Sequence, residues 1–226
     1  MLEENAKRGG SKKPVYLLLD QIYWMLTYGE YEHFNPVSID PEMRKYTLFV
    51  DGLSKTFCAT GLRTGWGFGP AGLINKMKSI IAHIGAFAPT PEQEGVTDYL
   101  QREADVDAHI QSVRERIYAS LSAFYEGFAT LKSEGYSVDA IEPQAAMYLT
   151  VNIDLLGKKK SDGKIIETTD DITSFLIDEA GIGLIPFTAF GSAMNPTWYR
   201  LSVGTCTADE VPVIMENLKK ALDTLS

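Results

Sequence analysis

Tyr46-Thr47-Leu48-Phe49-Val50-Asp51-Gly52-Leu53-Ser54-Lys55 is the stretch on which the fold turns. It opens as a short, unbroken apolar run, closes on Asp51-Gly52, and delivers a lysine shortly afterwards. An apolar run without alternation suits a strand buried on both faces, as in a parallel sheet. A lysine directly after such a strand is unusual, because lysines are seldom buried without a partner. Its amine can form a Schiff base with an aldehyde cofactor if its pKa falls from the usual value of about 10.4. Alone, a lysine in a loop is more often just a solvated side chain.

Upstream, Val15-Tyr16-Leu17-Leu18-Leu19 repeats the pattern and ends at Asp20, after a polar segment (residues 1–13) that reads as a frayed helix end and a loop. Ligands of α/β sheets gather at the carboxyl ends of strands, so Asp20 can face a protonated or positively charged ligand atom. A turn cap is the plainer alternative. Downstream, Gly65-Trp66-Gly67-Phe68-Gly69-Pro70 suits a third strand terminated by its proline. Arg63 lies between Gly61 and Gly65. A guanidinium so flanked suits close approach to a phosphate, with a surface arginine as the alternative.

Farther along, Pro70 opens a helix carrying Leu73, Met77, Ile80, Ile81 and Ile84, and Pro89-Thr90-Pro91 breaks it before a second helix at about Glu92 to Arg102. Val106, Ile110, Val113, Ile117, Leu121, Phe124, Phe128 and Leu131 then step at helical spacing, which predicts a long amphipathic helix over about 103–134. Asp105 and Asp107 suit its start and Gly135 its stop. A strand is expected at Ala146–Ile153, and a helix at Asp170–Ala180 with Asp170 as its cap and Gly181 as its stop. Two more strands follow at Gly183–Phe187 and Trp198–Val203, and Thr207 begins a final helix. Arg200 falls inside an apolar strand and wants an anion, supplied by a substrate carboxylate or by a structural Asp or Glu. The expected class is α/β: a partial mixed or parallel sheet, the long helix, and a small α+β domain. The division is placed at residues 1–115 and 116–226, with the long helix linking the two.

Composition narrows the function classes. Hydrophobic residues make up 45% and charged residues 23%, as in a soluble globular chain that needs no staples. The net charge of -9 argues against nucleic acid as a partner. Lys158-Lys159-Lys160 before Ser161-Asp162-Gly163 reads as a solvated hairpin tip. There is no apolar leader, and no stretch approaches the roughly 20 residues of a membrane span, so the expected location is cytoplasmic. Cys58 and Cys206 form no C-x-x-C pair and read as small buried hydrophobes in a reducing compartment. His33, His83 and His109 are scattered, so no metal is expected. Gly65-x-Gly67-x-Gly69 lacks the spacing of a nucleotide loop. Trp24, Tyr28, Tyr31 and Phe34 read as core or subunit contact, or as a wall of a substrate pocket.

Together, Asp20-Gln21-Ile22-Tyr23, Ser54-Lys55, Thr60-Gly61-Leu62-Arg63-Thr64-Gly65 and Tyr199-Arg200-Leu201-Ser202, with Phe190-Gly191 ahead of Arg200, resemble the class I and II aminotransferases of the aspartate aminotransferase fold type. The resemblance runs from Val15 to the last helix. It implies pyridoxal 5′-phosphate as cofactor, held in the larger domain. Lys55 resembles the lysine that bonds the cofactor and moves the substrate proton, and Asp20 the carboxylate at the ring nitrogen. Tyr23 resembles the tyrosine at the ring oxygen. Arg63, with Ser54, resembles the phosphate ligands, and Arg200 the clamp on the substrate α-carboxylate. The implied activity transfers an amino group between an amino acid, aspartate or aromatic, and a 2-oxo acid, in a homodimer with no nucleic-acid or membrane partner. A carbon–sulfur β-lyase, or an aminotransferase-like sensor domain of a transcription regulator, are the alternatives. The Gly-rich phosphate loop, the stacking aromatic and the Asn-Pro segment that precede these motifs in the family are not found ahead of Asp20. The expectation is therefore a truncated chain, matching about the second half of a family member, inactive alone, with an exposed sheet edge and apolar face.

Overall fold

The computed structural model describes residues 1–192 and 196–226 of the chain. Contacts divide it into two compact units, Met1–Val113 and Arg114–Ser226.

The first unit begins with α1 (Leu2–Arg8), stopped by Gly9 in the left-handed region. Asn5 ties this helix to the approaching strand: its Nδ2 donates to the Val15 carbonyl at 2.9 Å, and its Oδ1 accepts from the Val15 N–H at 2.7 Å. The first strand, β1 (Leu17–Asp20), is followed by a short helix, α2 (Pro36–Ile39), which Asn35 caps. A 3-10 turn at Pro41–Lys45 leads into β2 (Thr47–Gly52), and β3 (Gly65–Phe68) completes the sheet. The order is β1-β2-β3. Strands β1 and β2 run parallel, with Asp20 opposite Val50, whereas β3 runs antiparallel to β2, with Gly65 opposite Gly52. The sheet is thus mixed. A parallel return needs a long crossover, usually a helix, and the segment between β2 and β3 holds only turns and a 3-10 turn at Thr60–Leu62.

Thr47, Leu48 and Phe49 of β2 are buried, as a central strand requires. The outer strand β1 departs from the expectation of burial on both faces, since Leu18 is 62% exposed. Three helices follow: α3 (Ala71–Ile84), α4 (Thr90–Leu100) and α5 (Glu103–Ser133). No residue of α3 is buried, and Ile80 and Ile84 stand open to solvent.

In the second unit, β4 (Val138–Ala140), β5 (Tyr148–Ile153), β6 (Ile185–Pro186) and β7 (Trp198–Ser202) form an antiparallel sheet in the order β4-β5-β7-β6. Its helices are α6 (Thr169–Ala180) and α7 (Val211–Leu222). Alternation along β5 buries Leu149, Val151 and Ile153, and along β7 it buries Tyr199 and Leu201. Ile117, Leu121, Phe124, Phe128 and Leu131 of α5 are buried in turn, so the periodicity read in the sequence is the core-facing stripe.

Several local details differ from expectation. Thr168, not Asp170, caps α6: its Oγ1 accepts from the Asp171 N–H at 3.1 Å, and Asp171 Oδ2 accepts from the Thr168 N–H at 2.9 Å. This reciprocal pair satisfies two orphan donors where Asp170 would satisfy one. The strand expected at 183–187 shrinks to Ile185–Pro186, because Phe187–Phe190 winds into a 3-10 turn. The basic segment is a hairpin tip, with the Lys160 N–H donating to the Lys164 carbonyl at 2.8 Å. Among the described residues, no helix is long and apolar enough to cross a membrane.

Candidate active site

Strand direction brings the candidate residues of the first unit to one end of its sheet. Parallel strands β1 and β2 finish on the same edge, and antiparallel β3 starts there. Asp20 is the last residue of β1, Ser54 and Lys55 lie in the turn just beyond β2, and Arg63 stands just ahead of β3. This is the carboxyl edge where α/β sheets hold ligands.

Backbone geometry fixes the lysine turn. The Leu53 carbonyl accepts from the N–H groups of both Phe57 and Ala59 at 3.3 Å, and the Leu53 N–H donates to the Thr64 carbonyl at 3.2 Å. Thr56 Oγ1 donates to the Ile22 carbonyl at 3.2 Å, which ties the turn to the segment after β1. Close approach at the strand ends depends on glycine. A Cβ at Gly52 would lie 2.9 Å from the Gly65 Cα, and one at Gly65 would lie 2.8 Å from the Asp51 carbonyl oxygen. Lys55 is half-buried in this turn.

Around it, Asp20 Oδ1 accepts from the Ile22 N–H at 3.2 Å. Tyr23, half-buried, sits in the turn that follows, its carbonyl accepting from the Leu26 N–H at 2.8 Å. Arg63 adopts a left-handed backbone with φ 55, and its Nη1 donates to the Thr60 carbonyl at 2.9 Å. Non-glycine residues seldom take that conformation, and such outliers cluster where ligands are clamped. Among the described residues, none of Asp20, Lys55 and Arg63 takes part in an ion pair. One carboxylate and two cations thus stand at one sheet end without consuming one another. That donor set suits a ligand with a protonated ring nitrogen, an aldehyde and a phosphate.

Asp51 was read in the sequence only as the end of a strand, yet it joins two segments here. Its Oδ2 accepts from Trp24 Nε1 at 2.8 Å, and its Oδ1 accepts from the Gly52 N–H at 2.7 Å. Burial pushes its carboxyl above the usual range, against hydrogen bonds from Gly52, Trp24 and Gln21 that pull it down, while the nearby charge of Asp20 pushes it up again. Cys58, expected to be buried, is exposed. The turn puts it in the left-handed region with φ 52, its N–H donating to the Lys55 carbonyl at 3.1 Å.

In the second unit, Arg200 sits on β7 opposite Thr150 of β5 and Ile185 of β6. Its guanidinium carbon lies 4.4 Å from the Tyr148 ring centre and 4.7 Å from that of Phe190. Two aromatic faces so placed hold the planar cation. Its Nε is shut off from solvent and donates to nothing among the described residues. No Asp or Glu of the described residues pairs with it, so the structural carboxylate considered above is not filled from within.

A family model described as aminotransferase class I and II matches residues 11–218. An aspartate aminotransferase of Rhizobium meliloti is 29% identical over 220 residues, covering 94% of this chain and 49% of that protein. A "Probable aspartate/prephenate aminotransferase" of Rhizobium leguminosarum bv. phaseoli is 27% identical over 199 residues, covering 84% and 46%. The crystal structure of the Rhizobium meliloti aspartate aminotransferase superposes with a TM-score of 0.78 at 26% identity, covering 94% of this chain and 50% of that one. The chain spans about half the length of the curated relatives it matches.

Proposed function

The chain belongs to the class I and II aminotransferase family, and from that premise we propose that it carries the lysine-bearing part of a pyridoxal-phosphate site. The reaction is the transfer of an amino group between an amino acid and a 2-oxo acid. Aspartate is proposed as the amino acid, because the names of both Rhizobium relatives include it.

Each side chain has a distinct task. Lys55 Nζ would hold the cofactor by its aldehyde carbon and, as a free amine, would carry a proton between the substrate Cα and the former aldehyde carbon. The Asp20 carboxylate would keep a proton on the ring nitrogen of the cofactor. Tyr23 would donate its hydroxyl hydrogen to the ring oxygen. Arg63, pre-set by its left-handed backbone, and Ser54 would hold the phosphate. Arg200 binds the substrate α-carboxylate through its planar fork, with Tyr148 and Phe190 fixing the plane. Pyridoxal phosphate, when bound, supplies the electron sink for the charge left at Cα. A homodimer in the cytoplasm is the proposed assembly.

One observation carries this reading above the others: Asp20, Lys55 and Arg63 share a sheet end, and among the described residues none is in an ion pair. The test is to mix the protein with pyridoxal phosphate, reduce with borohydride, and map the labelled peptide. Label confined to Lys55, and lost in Lys55→Ala, supports it. Label spread over the surface lysines with no preference for Lys55 overturns it for this chain.

A further inference from the structure

The turn that carries Lys55 also walls a cavity of about 430 Å³. That volume lies within the roughly 300–1,000 Å³ of small-molecule sites. Leu53, Phe57 and Leu62 line it from the lysine turn, and Val96 and Tyr99 line it from α4. The aromatic wall is ordered. Phe57 stacks on His109 of α5 with ring centres 6.0 Å apart, and meets Tyr99 edge-on. His109 Nε2 donates to the Phe57 carbonyl at 3.3 Å.

Glu92 breaks this apolar lining. It stands in the first turn of α4, where a carboxylate is favoured by the helix terminus. Its Oε2 is shut off from solvent, and no donor among the described residues reaches it. A carboxylate oxygen stripped of water and left unmet is costly. In an otherwise apolar cavity, the partner that compensates best is a charge-assisted donor.

We propose that this cavity binds a small amphiphile, an aromatic or branched aliphatic body bearing a primary ammonium that donates to Glu92. Apolar walls take the body, and the carboxylate fixes its head. The site is separate from the cofactor reading, since neither Glu92 nor His109 has a role there. It stands or falls independently of Lys55 chemistry, although the same turn connects the two.

Calorimetry on the 226-residue chain near neutral pH tests it with three matched probes: 2-phenylethylamine, 2-phenylethanol and phenylacetate. The amine should bind saturably at one site, at least about tenfold more tightly than the alcohol or the acid, as a hydrogen bond to a charged group implies. Glu92→Gln should weaken the amine about tenfold and leave the alcohol unchanged. Val96→Phe, which fills the cavity from α4, should abolish binding of the amine. Circular dichroism establishes that each variant folds, and if Glu92→Gln does not, Val96→Phe decides. No saturable binding of the amine, equal binding of acid or alcohol, an amine affinity unchanged in Glu92→Gln, or binding that survives Val96→Phe overturns the proposal.

Discussion

The Trp24 indole donates to the Asp51 carboxylate across 2.8 Å, joining the segment after β1 to the second strand. Tyr23 sits between Gln21 and Trp24, both of which donate to Asp51, so this carboxylate braces the turn that presents Tyr23. Asp51→Ala is expected to cost about 1 kcal/mol, the usual worth of a lost hydrogen bond, in urea unfolding. Burial raises the Asp51 carboxyl, so the folded chain binds that proton more tightly than the unfolded one. Its contribution is therefore complete at pH below the ordinary carboxylate range, and is lost as pH rises through the raised value. Asp51→Asn removes the titration. The stability of Asp51→Asn relative to the natural chain should improve from pH 3.5 to pH 6.5, and a flat or opposite trend refutes it.

Gly65 is where a methyl group should do most harm in the first sheet. A Cβ there meets the Asp51 carbonyl oxygen at 2.8 Å, a backbone atom that cannot swing aside. Gly65→Ala is expected to destabilise by about 1–3 kcal/mol, as overpacking does. Because the strain lands where the end of β2, just ahead of Lys55, meets the start of β3, just after Arg63, borohydride labelling of Lys55 by pyridoxal phosphate should fall as well. Gly61→Ala, whose Cβ meets nothing within 4 Å, is the control and should leave both measurements unchanged.

Much of this arrangement was legible beforehand, and the exceptions have physical reasons. The stripe from Val106 to Leu131 is long enough for its period to be unmistakable, and α5 follows it. Lys55 was conspicuous because a charge directly after an apolar run needs a purpose. Strand β4, by contrast, is three residues long with only Val138 buried, too short for any periodicity. Trp24 and Asp51 meet across a separation that no local spacing rule reaches, so their bond was invisible. Thr168 and Asp170 are both good caps, and only backbone geometry chooses between them. The exposure of Cys58 follows from a left-handed turn that its residue type does not announce.

Arg200 carries an unmet buried donor on β7. Its guanidinium lies over the rings of Tyr148 and Phe190, but its buried Nε donates to nothing among the described residues. Removing an uncompensated buried polar group often costs nothing. Arg200→Met should therefore unfold within about 1 kcal/mol of the natural chain, or later. Under the proposed function, its affinity for 2-oxoglutarate should drop at least about tenfold by calorimetry. Arg200→Lys keeps the charge but loses the planar fork, and should bind no better than midway between the two. A large loss of stability in Arg200→Met, with affinity intact, would assign this arginine to structure alone.

Tyr199 gives the alkaline counterpart of Asp51. It neighbours Arg200 on β7 but is fully buried in the core of the second unit, and burial pushes its hydroxyl up to about 12 from 10.0. The folded chain thus holds the phenolic proton more tightly than the unfolded one. That contribution is complete below pH 10 and drains away as pH rises from 10 to about 12. Tyr199→Phe has no proton to lose at this position. Urea unfolding at pH 9 and at pH 11.5 should show the natural chain losing stability more steeply than Tyr199→Phe, whatever the other tyrosines contribute to both. Ultraviolet absorbance would show one tyrosine fewer ionising late in the titration of the variant. Equal slopes would mean that the buried hydroxyl ionises in the native core without penalty, and that the burial of β7 does not govern its proton.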